Sequence, residues 1–324
     1  IFLNKLGFLL FLSVLTSTPL LASTCKEWGF AQKTGNLDKK QIPESSGLKA
    51  SRQVPGRLYH VNDSGNGPFF QITNLKGQNT HTVKILNYKP RDPEALAYGQ
   101  CLIGKHCIYI GDIGDNFARR KNIEILALEE HVTKFPNQIK ALYSIKAKYP
   151  DQARDAEAMS LHPSGSMYIM SKEFTWGIFT ESARAARIYR LKNANQPQDG
   201  LRMLEYLGDL NLPQILSEYD AGGQAVTDMD ISSDGKKFVL LTYSTALEFD
   251  FDLETLPAQK TSIGIKKELK LPHKIIPIKS LYQQEAITYT ADNQSIVYSS
   301  EANRDGAPLY QAACRGAANP LQKP

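Results

Sequence analysis

One phrase recurs five times along this chain, and it constrains the fold more than any other feature. Each copy is a polar anchor, a small residue and an apolar residue, followed by a turn and a second apolar strand that ends in polar residues. The copies begin at Ser46-Gly47-Leu48, Glu94-Ala95-Leu96, Glu157-Ala158-Met159, Thr227-Asp228-Met229 and Glu285-Ala286-Ile287. They lead to second strands ending at Asp63, Asp112, Lys172, Thr242 and Glu301. In the last three copies the anchor stands eight residues before the turn residue, which is Gly165, Gly235 or Asn293. Self-similarity of this kind marks a repeat architecture.

The anchors are spaced by 48, 63, 70 and 58 residues, enough for a four-stranded sheet per repeat and too long for a short solenoid coil. Between the anchors, short apolar alternation is broken by Gly, Pro, Asn or Asp, the pattern of many short strands. The expectation is an all-β chain forming a single β-propeller of four-stranded antiparallel blades around a central channel. Five blades are visible, and the interval from Leu201 to Glu218 has room for a sixth. Residues 25–45 precede the first anchor and only a short tail follows the last hairpin, so an N-terminal strand should complete the final blade. One helix is expected, over Glu181 to Arg190.

Composition bounds the function. With 324 residues, 42% of them apolar and 22% charged, the chain can bury a core without a metal or disulfide to staple it. The formal charge of +5 is spread along the length with no Lys/Arg block, so no nucleic-acid partner is indicated.

Lys5, the apolar run Leu6 to Leu15 and the small residue Ala22 read as a secretory signal peptide over residues 1–22, leaving 23–324 as the propeller domain. The run is about half of the roughly 20 residues needed to cross a bilayer. The expected product is a monomer exported to the periplasm or beyond, with no transmembrane segment after signal cleavage. An oxidising compartment favours disulfides among Cys25, Cys101, Cys107 and Cys314. Of the three pairings, Cys101–Cys107 across a short polar turn is the natural local one, which leaves Cys25 and Cys314 at the two ends. The competing reading lipidates Cys25, although Thr24 is a poor fit to the small residue such a signal prefers.

In a propeller the start of the innermost strand and the end of the second strand emerge on one face. That geometry brings Glu94, Glu157 and Glu285 to one channel mouth as metal ligands. Asp63, Asp115, Asn116, Lys172, Glu173 and Asp228, the last of them one residue past the Thr227 anchor, join them as ligand-binding groups. Asp112 and Glu301 are the candidate catalytic carboxylates. Crowded carboxylates repel one another unless a cation balances them, and an Asp/Glu/Asn set without clustered His or Cys is the donor set of Ca2+. Lys172, Arg119, Arg120 and Arg154 are the alternative counter-charges. Asp63, Asp112, Asp115 and Asn116 also read as turn formers chosen for their backbone geometry. Of the six histidines only His60 stands close enough to a strand end to approach the mouth, and no nucleophile elbow, zinc motif or nucleotide loop is present.

The turns Ser232-Ser233-Asp234-Gly235-Lys236 and His162-Pro163-Ser164-Gly165 resemble the hairpins of TolB-type propellers. The phrases Asn62-Asp63-Ser64-Gly65, Gly111-Asp112-Ile113-Gly114-Asp115-Asn116 and Asp155-Ala156-Glu157-Ala158 resemble an exported bacterial β-propeller family. That family is distantly similar to phytase-like and gluconolactonase-like propellers, and the resemblance covers residues 40–310. It implies the fold more than an activity, because propellers carry many unrelated functions.

The functional expectation is a polar ligand bound with calcium at an acidic mouth, with metal-dependent hydrolysis of an ester, lactone or phosphate as the reaction such a site allows. The rival is a non-catalytic scaffold that binds an envelope protein or other envelope component.

Overall fold

Five sheets of four or five strands follow one another along the chain, each opening with one of the repeated anchors. The computed structural model describes residues 25–176, 181–219, 222–260, 267–302 and 305–315. The signal read over residues 1–22 lies outside them.

From the innermost strand outward, blade 1 is Ser45–Ala50, Arg57–Asn62, Phe69–Asn74 and His81–Leu86. Blade 2 is Pro93–Gln100, His106–Asp112, Ile123–Glu129 and Tyr143–Lys148. Blade 3 is Ala156–Leu161, Met167–Ser171, Ala186–Leu191 and Glu205–Leu210. Blade 4 is Val226–Ile231, Phe238–Thr242, Ala246–Phe249 and His273–Ile276. Blade 5 is Gln284–Tyr289, Ser295–Ser300 and Pro308–Ala313, completed by Gln32–Asn36 from the N-terminal side. The protein is a five-bladed β-propeller.

The ring closes as the sequence predicts. Gln32–Asn36 pairs antiparallel with Pro308–Ala313, Trp28 bridges Cys314, and a disulfide joins Cys25 to Cys314. The second disulfide is Cys101–Cys107. The Cys25 sulfur is thus engaged, which removes the lipidated reading of that residue.

Two expectations fail. The interval from Leu201 to Glu218 holds no sixth blade: Leu201–Met203 adds in parallel to the outer strand of blade 2, Glu205–Leu210 is the outer strand of blade 3, and Leu212–Ile215 is one helical turn. Nor is Glu181 to Arg190 helical. Glu181–Ala183 belongs to a small hairpin, and Ala186–Leu191 runs between two neighbours of blade 3. Burial of Ala186, Ile188, Tyr189 and Leu191 overrides the helix preference of the Ala and Arg residues there.

Connections between third and fourth strands reach back to the preceding blade. Gln138–Lys140 adds in parallel to His81–Leu86, and the Asp209 amide donates to the Lys267 carbonyl while the Leu269 amide donates to Asp209. These additions occupy backbone groups that an open sheet edge would offer to other chains. Between blades lie five buried apolar clusters, one for each neighbouring pair, carrying most of the large aliphatic and aromatic side chains. Each fully buried side chain of that size contributes about 1.5–3 kcal/mol.

Candidate functional site

In every blade the pairing of the innermost and second strands slips by one residue at its start. The slip falls between Ser45 and Gly47, Pro93 and Ala95, Ala156 and Ala158, Val226 and Asp228, and Gln284 and Ala286. The residue left out of the pairing is a repeated anchor in each case: Ser46, Glu94, Glu157, Thr227 or Glu285. The anchors are therefore β-bulge residues, and a bulge re-aims a side chain away from the regular pleat. All five are at most 5% exposed.

The same register defines a second ring. The residues following the second strands are Asp63, Ile113, Lys172, Tyr243 and Glu301. Four of these amides donate across the strand ends, Asp63 to Glu44, Lys172 to Asp155, Tyr243 to Ala225 and Glu301 to Gln283. Asp112 is one position out of this column and pairs with Pro93.

Below the anchors the inner strands approach one another closely. The residues after the bulges are Gly47, Ala95, Ala158, Asp228 and Ala286, and a Cβ at Gly47 would come 2.8 Å from the Leu96 backbone nitrogen. Asp228 is the exception to the small side chains, and the axis accommodates it by pairing. Lys49 donates to both of its oxygens at 3.1 and 3.2 Å and to the carbonyls of Leu48 and Ile287. Beside them Ser160 and Thr288 donate to Asp230. This buried network floors the mouth, and Asp228 belongs to the floor because its position one step past the bulge turns its carboxylate down the axis.

The mouth is strongly acidic and unevenly balanced. Lys172 donates to Glu157 at 2.7 Å and lies 5.1 Å over the Tyr243 ring. Tyr243 in turn donates to Glu285 at 3.1 Å. Glu94 has no such partner among the described residues. Burial, then the charges of Glu157, Asp63, Asp92 and Glu285, push its carboxyl well above the ordinary value. Burial and Glu157 raise Glu285 to about 8, while burial and Asp63 raise Asp92 to about 6. Burial raises Glu157 to about 7 against the pull of Lys172. Glu301, half-buried, is raised by burial, Glu44 and Asp63. The Ser46 and Thr227 hydroxyls are buried without a partner among the described residues.

Oxygens of Asp63, Asp92 and Glu94 lie within 4.8 Å of one another, close enough to share a metal ion. Asp92 is held by Asp112, whose carboxylate accepts from the Asp92 and Arg91 amides and the Tyr88 hydroxyl, and pairs with Arg120 at 2.8 Å. Gly114 makes room, since a Cβ there would lie 2.6 Å from Asp92 Oδ2 and 2.7 Å from Glu94 Cγ.

The remaining predicted residues surround this cluster. The Asp115 carboxylate accepts from the Arg120 amide, and its own amide donates to Asp155. Glu173 is bridged by Arg154 at 3.0 Å and Arg184 at 3.5 Å. Exposed Asn116, together with Arg154, Lys172 and Glu173, lines a small cavity of about 120 Å3 beside the mouth. Arg119 lies over exposed Phe117. His60 turns away from the mouth to Thr73, 2.8 Å distant on the next strand of its own blade, and burial lowers it to about 3.

Sequence reasoning missed Asp92, Tyr243 and Lys49. Asp92 is legible only as the residue two before an anchor, and Tyr243 as the position after a strand end that already held Lys172 and Glu301 in other repeats. Lys49 carries no local signal.

Several solved structures align with most of this chain. A PQQ-bound aldose sugar dehydrogenase from Streptomyces coelicolor aligns over 87% of this chain and 96% of its own, with 9% identity and a TM-score of 0.51. A luciferin-regenerating enzyme aligns over 88% and 95%, with 11% identity and a TM-score of 0.43. A protein from Bacteroides uniformis assigned as a 6-phosphogluconolactonase aligns over 87% and 70%, with 14% identity and a TM-score of 0.39. At 9% identity the likeness to the sugar dehydrogenase is one of fold alone. No family model matches the sequence, and no curated protein matches it.

Proposed function

We propose that this is an exported propeller that binds a small polar ligand together with a divalent cation, calcium by its donor set, at the acidic mouth. The observation that carries the reading is Glu94: a carboxylate 4% exposed, among four other acids, with no cationic partner among the described residues. The available donors fit a hard cation, being carboxylate oxygens of Asp63, Asp92 and Glu94 with the unpartnered Ser46 hydroxyl on the blade 1 bulge. Glu157 is neutralised by Lys172, which shifts the proposed metal position toward blades 1 and 2. The two disulfides favour export.

A cation there would polarise an ester, lactone or phosphate oxygen, or simply orient the ligand. In the hydrolytic version Glu301, raised and half-buried, accepts the proton. Asp112 positions Asp92, and Lys172 with Tyr243 orients the ligand from the opposite wall. A second reading, a non-catalytic platform for an envelope component, is favoured by Phe117 and Tyr282. These aromatics are 77% and 84% exposed on loops of the same face.

Thermal melting of the oxidised protein in chelator, then with calcium, tests the proposal. A site at a hundred times its Kd adds about 2.7 kcal/mol. A saturable rise in Tm that Glu94→Gln abolishes supports the reading. No shift with any divalent cation would leave the platform reading in its place.

A further inference from the structure

The opposite end of the channel carries a different chemistry. There, connections from the first to the second strands of four blades enclose a cavity of about 200 Å3, lined by Arg52, Gly99, Gln100, His106, Leu161, His162, Pro163 and Ser233. That is roughly the liquid volume of six or seven waters. Among the described residues no carboxylate lines it, in contrast with the acidic mouth.

Arg52 supplies the formal charge. One of its guanidinium nitrogens donates at 2.7 Å to the Ile231 carbonyl, which anchors the side chain from blade 1 across to blade 4. No other donor of that guanidinium has a partner among the described residues, and a planar fork of this kind matches an oxyanion bidentately. His106 stands beside it, its ring stacked on Tyr98 at 5.9 Å and its Nδ1 buried without a partner. Glu130, behind the Tyr98 side of this wall, already accepts from the hydroxyls of Ser51, Tyr59 and Tyr98. His162 Nδ1 meets the Ser164 hydroxyl at 2.9 Å, while its Nε2 makes no hydrogen bond among the described residues; Asp252 at 3.4 Å and Glu254 at 3.8 Å flank the ring on its far side, so His162 serves as wall. The Asn293 side chain accepts from the Ser233 amide and donates to the Ser233 hydroxyl, holding that residue at the rim.

We infer that this cavity is a binding site for a small tetrahedral oxyanion of the phosphate or sulfate class, held by the Arg52 guanidinium and the His106 imidazole. The site is separate from the acidic mouth, with the Lys49–Asp228 floor between them.

Calorimetric titration of inorganic phosphate into the oxidised protein, at constant ionic strength and in chelator, tests the inference. One saturable site is expected in the wild type. Glu94→Gln should leave it unchanged and Arg52→Gln should weaken it about tenfold or more, the cost of one charge-assisted pair. His106→Phe keeps the stack on Tyr98 but removes the ring nitrogens, and should weaken phosphate severalfold; it decides the matter if Arg52→Gln does not fold. Absence of saturable binding, or an affinity that neither variant alters, overturns the site. Binding lost in Glu94→Gln but kept in Arg52→Gln also overturns it, by moving the anion to the acidic mouth.

Discussion

Lys49 Nζ on blade 1 lies 3.1 Å from Asp228 Oδ2 on blade 4, and neither side chain is more than 1% exposed. The two residues are 179 positions apart in the chain, yet their contact closes the axis and separates an acidic mouth from a basic cavity. Removing one partner leaves a buried charge uncompensated. Lys49→Met should therefore lose about 3–5 kcal/mol, and replacing both partners by apolar residues should recover most of that loss. Urea unfolding measures it. A single variant within about 1 kcal/mol of wild type would show that the pair is not an ionic plug.

Glu94 stands in the opposite situation, a buried acid among acids. In chelator and at alkaline pH, where the buried carboxyl is forced to ionise, Glu94→Gln should be more stable than the wild type by about 1–3 kcal/mol, because repulsion and carboxylate desolvation both disappear; in acid the two should converge. Calcium should then add nothing to its melting temperature. An undiminished calcium shift would remove Glu94 from the ligand set.

The raised acids set a pH dependence. A carboxyl whose folded value stands above its unfolded value holds its proton more tightly when folded. Its contribution to stability is complete below the ordinary glutamate value of 4.5 and is lost as the pH rises through the folded value of about 8 for Glu285. Asp92 follows the same sign with a folded value of about 6. Stability in chelator should fall across that window, and calcium should flatten the fall by favouring the ionised forms. Parallel melting curves with and without calcium at every pH would contradict the linkage.

Gly114 sets the spacing of Asp92 and Glu94. Gly114→Ala places a methyl group 2.6 Å from Asp92 Oδ2, which should cost about 1–3 kcal/mol and weaken calcium binding more than it weakens the fold. Unaltered calcium affinity in that variant would show that the two carboxylates do not act together.

The disulfides differ in what they close. Cys25–Cys314 spans 289 residues and Cys101–Cys107 spans 6. On the chain-entropy model the first contributes about 6 kcal/mol and the second about 2.4. Pairwise serine variants compared in urea should reproduce that order, and an equal loss from both would refute it.

Much of the fold is legible in the chain because propeller repeats write themselves locally. Alternation, turn residues and a recurring anchor specify one hairpin at a time, so the five inner hairpins, the strand added from the N-terminal side and the pairing of Cys25 with Cys314 follow from sequence. Glu181 to Arg190 misled because its Ala and Arg residues carry helix preference, whereas its burial between two strands is imposed from outside the segment. Leu201 to Glu218 misled because edge-covering segments carry the same alternation as blade strands.

The anchors were legible as a column, but what each one meets was not. The one-residue bulge that turns Ser46, Glu94, Glu157, Thr227 and Glu285 into the mouth shows in the strand register. That Glu157 is matched by Lys172 while Glu94 is left among acids depends on which strand ends converge once five blades close the ring. Lys49 and Asp228 make the same point from the floor. The sequence by itself determined the blades, their order and the residues offered to the axis, because hydrogen-bonded hairpins are short-range. The tertiary structure alone decided which charges are paired, because the axis is the one place where strands from all parts of the chain meet.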